Sequence, residues 1–316
     1  MRNVVFLILA AACWGIGTVV SKQAVAEIAP LALLPIQLAF SVAFLLAFTR
    51  ARGISLPTGR EGRLLGRLGL LNPGLAYALS LIGLAEITAS TSVLLWATEP
   101  LFILAFAAVV LGERIGVAIL APSAVAIVGL VLVVLDPAAG GSMMGIVLTV
   151  AGVVVCAVYT VATRKWLLGS DSTFGVVLAQ QLHALGFALI VVVALAATGR
   201  QMLPAQVSAP GLISAAASGL LYYAFAYSFY LSALRNVRAS IAAASFYLIP
   251  VFGVAGGWLA GERLEPVQWL GAILVVVSVA AITIQVARPA DRQEGQPSSA
   301  DASAQMARSP SEASRS

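Results

Sequence analysis

The chain has 316 residues, of which 60% are hydrophobic and 10% charged, with a formal net charge of +5 at pH 7. A soluble domain carries about 25% charged residues, so this composition excludes a water-soluble fold and defines an integral membrane protein. The basic excess does not mark a nucleic-acid partner, because the arginines fall between apolar runs rather than on one folded face.

A bilayer core about 30 Å thick is crossed by roughly 20 apolar residues of helix. By that measure the chain reads as an all-α membrane protein of ten spans: 3–22, 31–49, 65–84, 89–111, 117–135, 142–163, 173–197, 210–233, 239–260 and 266–286. The first has the look of a signal peptide as far as Cys13, but its apolar run continues through Trp14 to Val20, too long for a signal core, so it reads as a transmembrane helix. Connections are short apart from 50–64, rich in arginine and glycine, which reads as a loop. The stretch 287–316 holds Ser, Ala, Gln, Pro and scattered charge, too little apolar surface to fold, and is expected to be a disordered cytoplasmic tail. Cys13 and Cys156 both lie inside apolar runs and read as packing residues, not a disulfide framework.

Cationic residues set the orientation. With the N-terminus inside, Arg2, Arg50, Arg52, Arg60, Arg63, Arg67, Arg114, Arg164, Lys165, Arg235 and Arg238 are cytoplasmic, against Lys22, Arg200 and Arg263 outside. Both termini are therefore expected in the cytoplasm.

The chain also repeats itself. The run Ser90 to Arg114 carries Glu99-Pro100 at its middle and ends Gly112-Glu113-Arg114, while Ser240 to Arg263 carries Pro250 and ends Gly261-Glu262-Arg263. Cys13, Lys22 and Gln37 recur as Cys156, Lys165 and Gln180, each shifted by 143 positions. Each half, 3–135 and 142–286, then holds five spans, and an odd number makes the second half enter the membrane from the opposite side. Inverted repeats of this kind place a site near the midplane, between halves that rock.

These residues resemble the drug/metabolite transporter superfamily, in its ten-helix form with two EamA-type repeats. The resemblance rests on Ala12-Cys13-Trp14-Gly15, on Glu99-Pro100 through Gly112-Glu113-Arg114, on Pro250 through Gly261-Glu262-Arg263, and on Trp269-Leu270-Gly271. It implies a carrier of small metabolites, often amino acids, in the bacterial inner membrane, with export the expected direction. It also implies a cavity lined by helices one to four and six to nine.

Glu99 is the leading site candidate, since a carboxylate at membrane depth must be paired, hydrated or protonated and usually faces a cavity or proton relay. A packing role through an interhelical hydrogen bond is the alternative. His183, the only histidine, can share a proton or contact substrate, or act as an interhelical hydrogen-bonder. Gln37 and Gln180, related by the repeat, frame the site from opposite halves or serve as polar glue between helices. Pro73, Pro100 and Pro250 each free a backbone carbonyl by kinking a span, either for ligand contact or for shape alone. Tyr223, Tyr227 and Tyr230 fall on one helical stripe, and with Trp14, Trp96, Tyr159 and Tyr247 they form either a cavity wall for partly apolar or cationic metabolites or plain packing. Gly253, Gly257 and Gly261 recur every four residues and read as a close helix contact; the Gly-Glu-Arg ends read as helix caps at the membrane surface.

No phosphate-binding Gly-rich loop is present, so ATP-driven transport in cis is not expected. No cofactor and no metal is expected either. An intramembrane enzyme would need clustered ligands or a nucleophile with its base, and a scaffold would leave the midplane glutamate and prolines without purpose. The expected partners are a small-molecule substrate, lipid and protons; a monomer and a homodimer both satisfy the sequence.

Overall fold

A computed structural model describes residues 2–99, 101–103, 105–106, 117–134, 142–167, 172–199, 206–234 and 248–287. Among these, every regular element is helical and no strand forms. In hydrocarbon a backbone must satisfy its own polar groups, and a helix does so within one segment.

The helices α1 (Arg2–Val25) and α2 (Pro30–Ala51) are long single elements. Next, α3 (Gly59–Arg67) passes through a 3-10 turn at Leu68–Leu70 and a π turn at Leu71–Leu75 into α4 (Ala76–Glu86). Then come α5 (Ala89–Trp96), α6 (Val117–Val134), α7 (Met143–Leu167) and α8 (Thr173–Ala197). A second π turn, Leu220–Phe225, joins α9 (Ala209–Gly219) to α10 (Ala226–Leu234), and α11 (Leu248–Leu259) and α12 (Pro266–Ala287) complete the described chain.

Among the described residues, six helical runs are long and apolar enough to cross a membrane: Asn3–Val25, Pro30–Ala51, Gly59–Glu86, Met143–Thr160, Phe174–Ala197 and Ala209–Tyr230. Large aliphatic side chains point outward along them, Ile190 at 69% and Ile213 at 67% exposure, as a surface facing lipid requires.

The third run begins at Gly59, earlier than the 65 expected, so the loop after α2 is correspondingly shorter. Arg60, Arg63 and Arg67 hid this start from an apolar measure, yet arginine is a good helix former. Gly62, Leu65 and Gly66 form the buried face of α3. The kink expected at Pro73 is present. Asn72, the residue before it, takes φ −142° and ψ 121°, because the proline ring excludes the helical region for its predecessor; the Asn72–Pro73 bond is cis.

The second π turn needs no proline, and it alters the aromatic stripe. One extra residue in the turn resets the helical phase. Tyr223 therefore packs on Tyr77, while Tyr227 and Tyr230 both set their edges against Trp14. The expected single stripe is split into two. Both π turns are followed by the same dipeptide, Ala76-Tyr77 and Ala226-Tyr227.

Contacts run chiefly from one half of the chain to the other. On one side α1 packs against α9, α10 and α11; on the other, α7 packs against α4 and α5. The remaining principal pairs are α2 with α8 and α6 with α12. Glycines set how closely these pairs approach. A Cβ on Gly129 would meet the Gly271 carbonyl oxygen at 2.8 Å, and a Cβ on Gly83 would meet the Gly145 carbonyl oxygen at 2.6 Å.

Backbone on the far side of such a contact cannot yield. Gly129→Val should therefore cost about 1–3 kcal/mol of overpacking, read as a lower melting temperature of the detergent-solubilised protein. Gly186, which has nothing within 4 Å of a built Cβ, is the control: Gly186→Ala should hold or raise the melting temperature.

Candidate functional site

Between α1, α4, α5 and the second π turn lies a narrow, part-open cavity of about 20 Å³, room for a water molecule. Its aromatic wall is Tyr77, Trp96, Tyr222 and Tyr223. Tyr77 stacks on Trp96 with ring centroids 5.4 Å apart, and meets Tyr222 and Tyr223 edge-on at 5.1 and 5.2 Å. Thr18, Ser21, Ser80 and Ser92 add hydroxyls to the lining. The Trp96 indole Nε1 donates to Ser80 Oγ at 2.9 Å, which fixes the ring. The second π turn is tied down separately: Ser41 donates to Gln181 Oε1 at 2.6 Å, and Gln181 Nε2 donates to the Tyr223 carbonyl at 3.1 Å. A mostly apolar lining with a few fixed polar groups is the usual build of a small-molecule site.

Several expected residues gather here. Trp96 and Tyr223 line the cavity itself. Gln37 stands behind it, donating from Nε2 to Ser21 Oγ at 3.0 Å and to Ser218 Oγ at 2.7 Å. The hydroxyl of Tyr77 lies within hydrogen-bonding reach of Tyr222 and Tyr227, and Tyr222 within reach of Thr18. Glu99 lies three residues beyond Trp96, half-buried against α7, where Thr160 Oγ1 donates to its Oε1 at 3.1 Å and the Cys156 thiol is within reach. Tyr159 donates to Gln180 Oε1 at 2.8 Å. Trp14 is buried against Tyr227, ring centroids 5.4 Å apart.

Others lie elsewhere. His183 is exposed on α8; its Nδ1 pairs with the Ala179 carbonyl of its own helix at 2.8 Å, and its ring lies over Gly66. Neither the cavity nor Glu99 is among its neighbours. Pro73 and Pro250 are buried, whereas Pro100 and Tyr247 lie outside the described residues. Sequence reasoning missed Tyr77 and the hydroxyl lining. The available signal was spacing, since Thr18 and Ser21, and Tyr77 and Ser80, are each three apart on otherwise apolar helices.

Two charges hold the helix ends beside the cavity. Lys22, next to Ser21, donates from Nζ to the carbonyls of Leu84 and Ala85 at 2.8 and 3.0 Å, at the C-terminus of α4. Glu262 accepts from Ala89 N at 2.7 Å, Ser90 N at 2.9 Å and Ser90 Oγ at 2.6 Å, at the N-terminus of α5. The second Gly-Glu-Arg is thus a helix cap as expected, but for a helix of the opposite half. Gly261 at φ +97° supplies the left-handed turn that aims Glu262, a conformation glycine reaches without strain. Arg263 donates to the Trp258 and Glu262 carbonyls and lies 5.2 Å from the Trp258 ring centroid. On the same face, Glu27 accepts from Ser208 N and Oγ at 2.9 and 2.7 Å; those bonds hold its carboxyl below the ordinary glutamate value.

A bundle of long apolar helices with lipid-facing aliphatic side chains defines a multi-pass membrane protein. The model of the EamA-like transporter family matches residues 1–135 and 143–284, so the chain belongs to that family, within the drug/metabolite transporter superfamily. The family consists of transporters, which act on small molecules within a lipid bilayer. No curated protein matches the chain. A solved crystal structure is similar in fold, with a TM-score of 0.63 at 20% identity over 92% of this chain and 98% of that one.

Two outcomes test the charged contacts. Glu262→Ala leaves the α5 N-terminus without its acceptor and should cost about 1–3 kcal/mol by thermal melting, with Glu262→Gln intermediate. Because the folded-state pKa of Glu27 is depressed, its contribution is complete above the ordinary glutamate value and is lost as pH falls through the folded one. Glu27→Gln should therefore flatten the acid limb of the stability–pH profile and leave the neutral limb unchanged.

Proposed function

We propose that this protein is a secondary transporter that moves small organic metabolites of amino-acid size by alternating access, with export the expected net direction. Its two halves, 3–135 and 142–286, act as inverted five-helix repeats, ten spans in all, in a bacterial inner membrane with both termini cytoplasmic. The observation that carries this reading is the narrow aromatic-walled cavity beside the Lys22 and Glu262 contacts. The stacked rings of Tyr77 and Trp96 offer a face to an apolar or cationic body.

In this reading Trp96, Tyr223, Tyr227 and Trp14 shape the passage, and Gln37 orients its hydroxyls through Ser21. Glu99 is the proton-coupling group. It lies against α7, bonded to Thr160 and within reach of Cys156, and its charge depends on whether water or substrate reaches it. The exposed His183 has no assigned part in that pathway.

The test is uptake of a labelled amino-acid and metabolite panel into proteoliposomes, with and without an imposed pH gradient. Wild type should concentrate a substrate only under the gradient. Glu99→Gln should lose that response while retaining exchange of labelled for unlabelled substrate. Gradient-driven accumulation unchanged in Glu99→Gln would reduce Glu99 to a packing residue.

A further inference from the structure

We infer a second binding element deeper in the bundle, a polar quartet of Asn72, Tyr159, Gln180 and Tyr227, which takes a substrate head group carrying a hydrogen-bond donor and an acceptor side by side. The inference rests on the transporter reading above and adds to it the chemistry of the head group.

The quartet is assembled from four elements: the first π turn, α7, α8 and α10. Tyr159 donates to Gln180 Oε1 at 2.8 Å, and Asn72 Nδ2 reaches the Tyr227 hydroxyl at 3.5 Å. The two tyrosines are close enough to interact electrostatically, and Tyr227 also lies within reach of Tyr77 on the cavity wall. None of the four is among the residues that line the cavity, and the link to it runs from Tyr227 through Tyr77.

Each amide in it is half used. Asn72 Oδ1 and Gln180 Nε2 have no hydrogen-bond partner, although Asn72 is only 2% and Gln180 only 4% exposed. A buried amide left half-paired is costly, and such groups in folded proteins usually mark a ligand, a water or a strained site. Here the free atoms are complementary, one acceptor and one donor. A carboxamide fits both through its N–H and C=O. The ammonium and carboxylate of an α-amino acid fit them equally. A lone carboxylate would face the Asn72 oxygen, and a lone ammonium the Gln180 amide hydrogens. Each would lose a bond and gain a repulsion.

The repeat supports the assignment independently. Gln180 is the counterpart of Gln37, which orients the cavity hydroxyl of Ser21, and Tyr227 follows its π turn as Tyr77, on the cavity wall, follows the first. Two of the four, Gln180 and Tyr227, thus occupy in the second half positions that serve the cavity in the first.

Four probes share one aliphatic body and differ in the head: L-leucine, isocaproamide, isocaproate and isoamylamine. Their binding to the purified full-length protein is measured by isothermal titration calorimetry. L-Leucine and isocaproamide should bind at least about tenfold tighter than the two single-charge analogues, because a site built around hydrogen bonds rejects ligands that leave it unpaired. Gln180→Met should erase that preference while retaining a monodisperse elution profile. Equal binding of all four, binding of none, or a preference unchanged in Gln180→Met would overturn the inference, and the ranking in wild type stands as a test even where the variant fails to fold. Flux of the same probes in proteoliposomes separates the two readings. Head-group selectivity without flux sinks the transport reading alone; flux without selectivity sinks the quartet alone.

Discussion

A chain in hydrocarbon cannot leave backbone groups unpaired, and the ends of its helices are where that constraint bites. Helices α4 and α5 meet at a short link, Glu86 to Ala89, with orphan carbonyls on one side and orphan N–H groups on the other. Lys22 answers the carbonyls and Glu262 the N–H groups, each with the charge that the helix dipole favours there. The hairpin that carries Tyr77 and Trp96 into the cavity wall is held at its turn by two charges from other helices, one of them from the opposite half. The cavity's position depends on this arrangement.

The two π turns are the second device. A regular helix through 209–234 would carry Tyr223, Tyr227 and Tyr230 on one face. The π turn shifts the phase between the first of these and the other two. In the second span this sends Tyr223 to the outer cavity and Tyr227 and Tyr230 to Trp14. Tyr77 and Tyr227, each just past its turn, come within reach of one another where the halves meet.

What could be read in the sequence was whatever hydropathy and repetition carry: apolar helices, a doubled motif ending in Gly-Glu-Arg, and a family resemblance. Trp96 and Gln37 were found because a large aromatic and an amide at membrane depth are conspicuous. The start of α3 was not, because arginines that favour helix were counted as breaks in an apolar run. Nor was the split of the tyrosine stripe, because no residue in Leu220–Phe225 announces a π turn. Glu262 could be read as a cap, but which helix it caps depends on a contact across 172 positions of sequence, which no local pattern encodes. His183 was as conspicuous in the sequence, and the structure places its Nδ1 against the Ala179 carbonyl of its own helix.

That same long-range cap bears on biosynthesis. The N–H groups of Ala89 and Ser90 enter the membrane early, and their acceptor is made 172 residues after Ser90. At typical rates of about 5–20 residues per second, α5 waits on the order of ten to thirty seconds for Glu262. During that interval its N-terminus must rely on Thr88, whose hydroxyl accepts from Thr91 N at 3.0 Å, and on water at the membrane surface. The first half is thus inserted before it can be finished, and the nascent chain completes it from the far end.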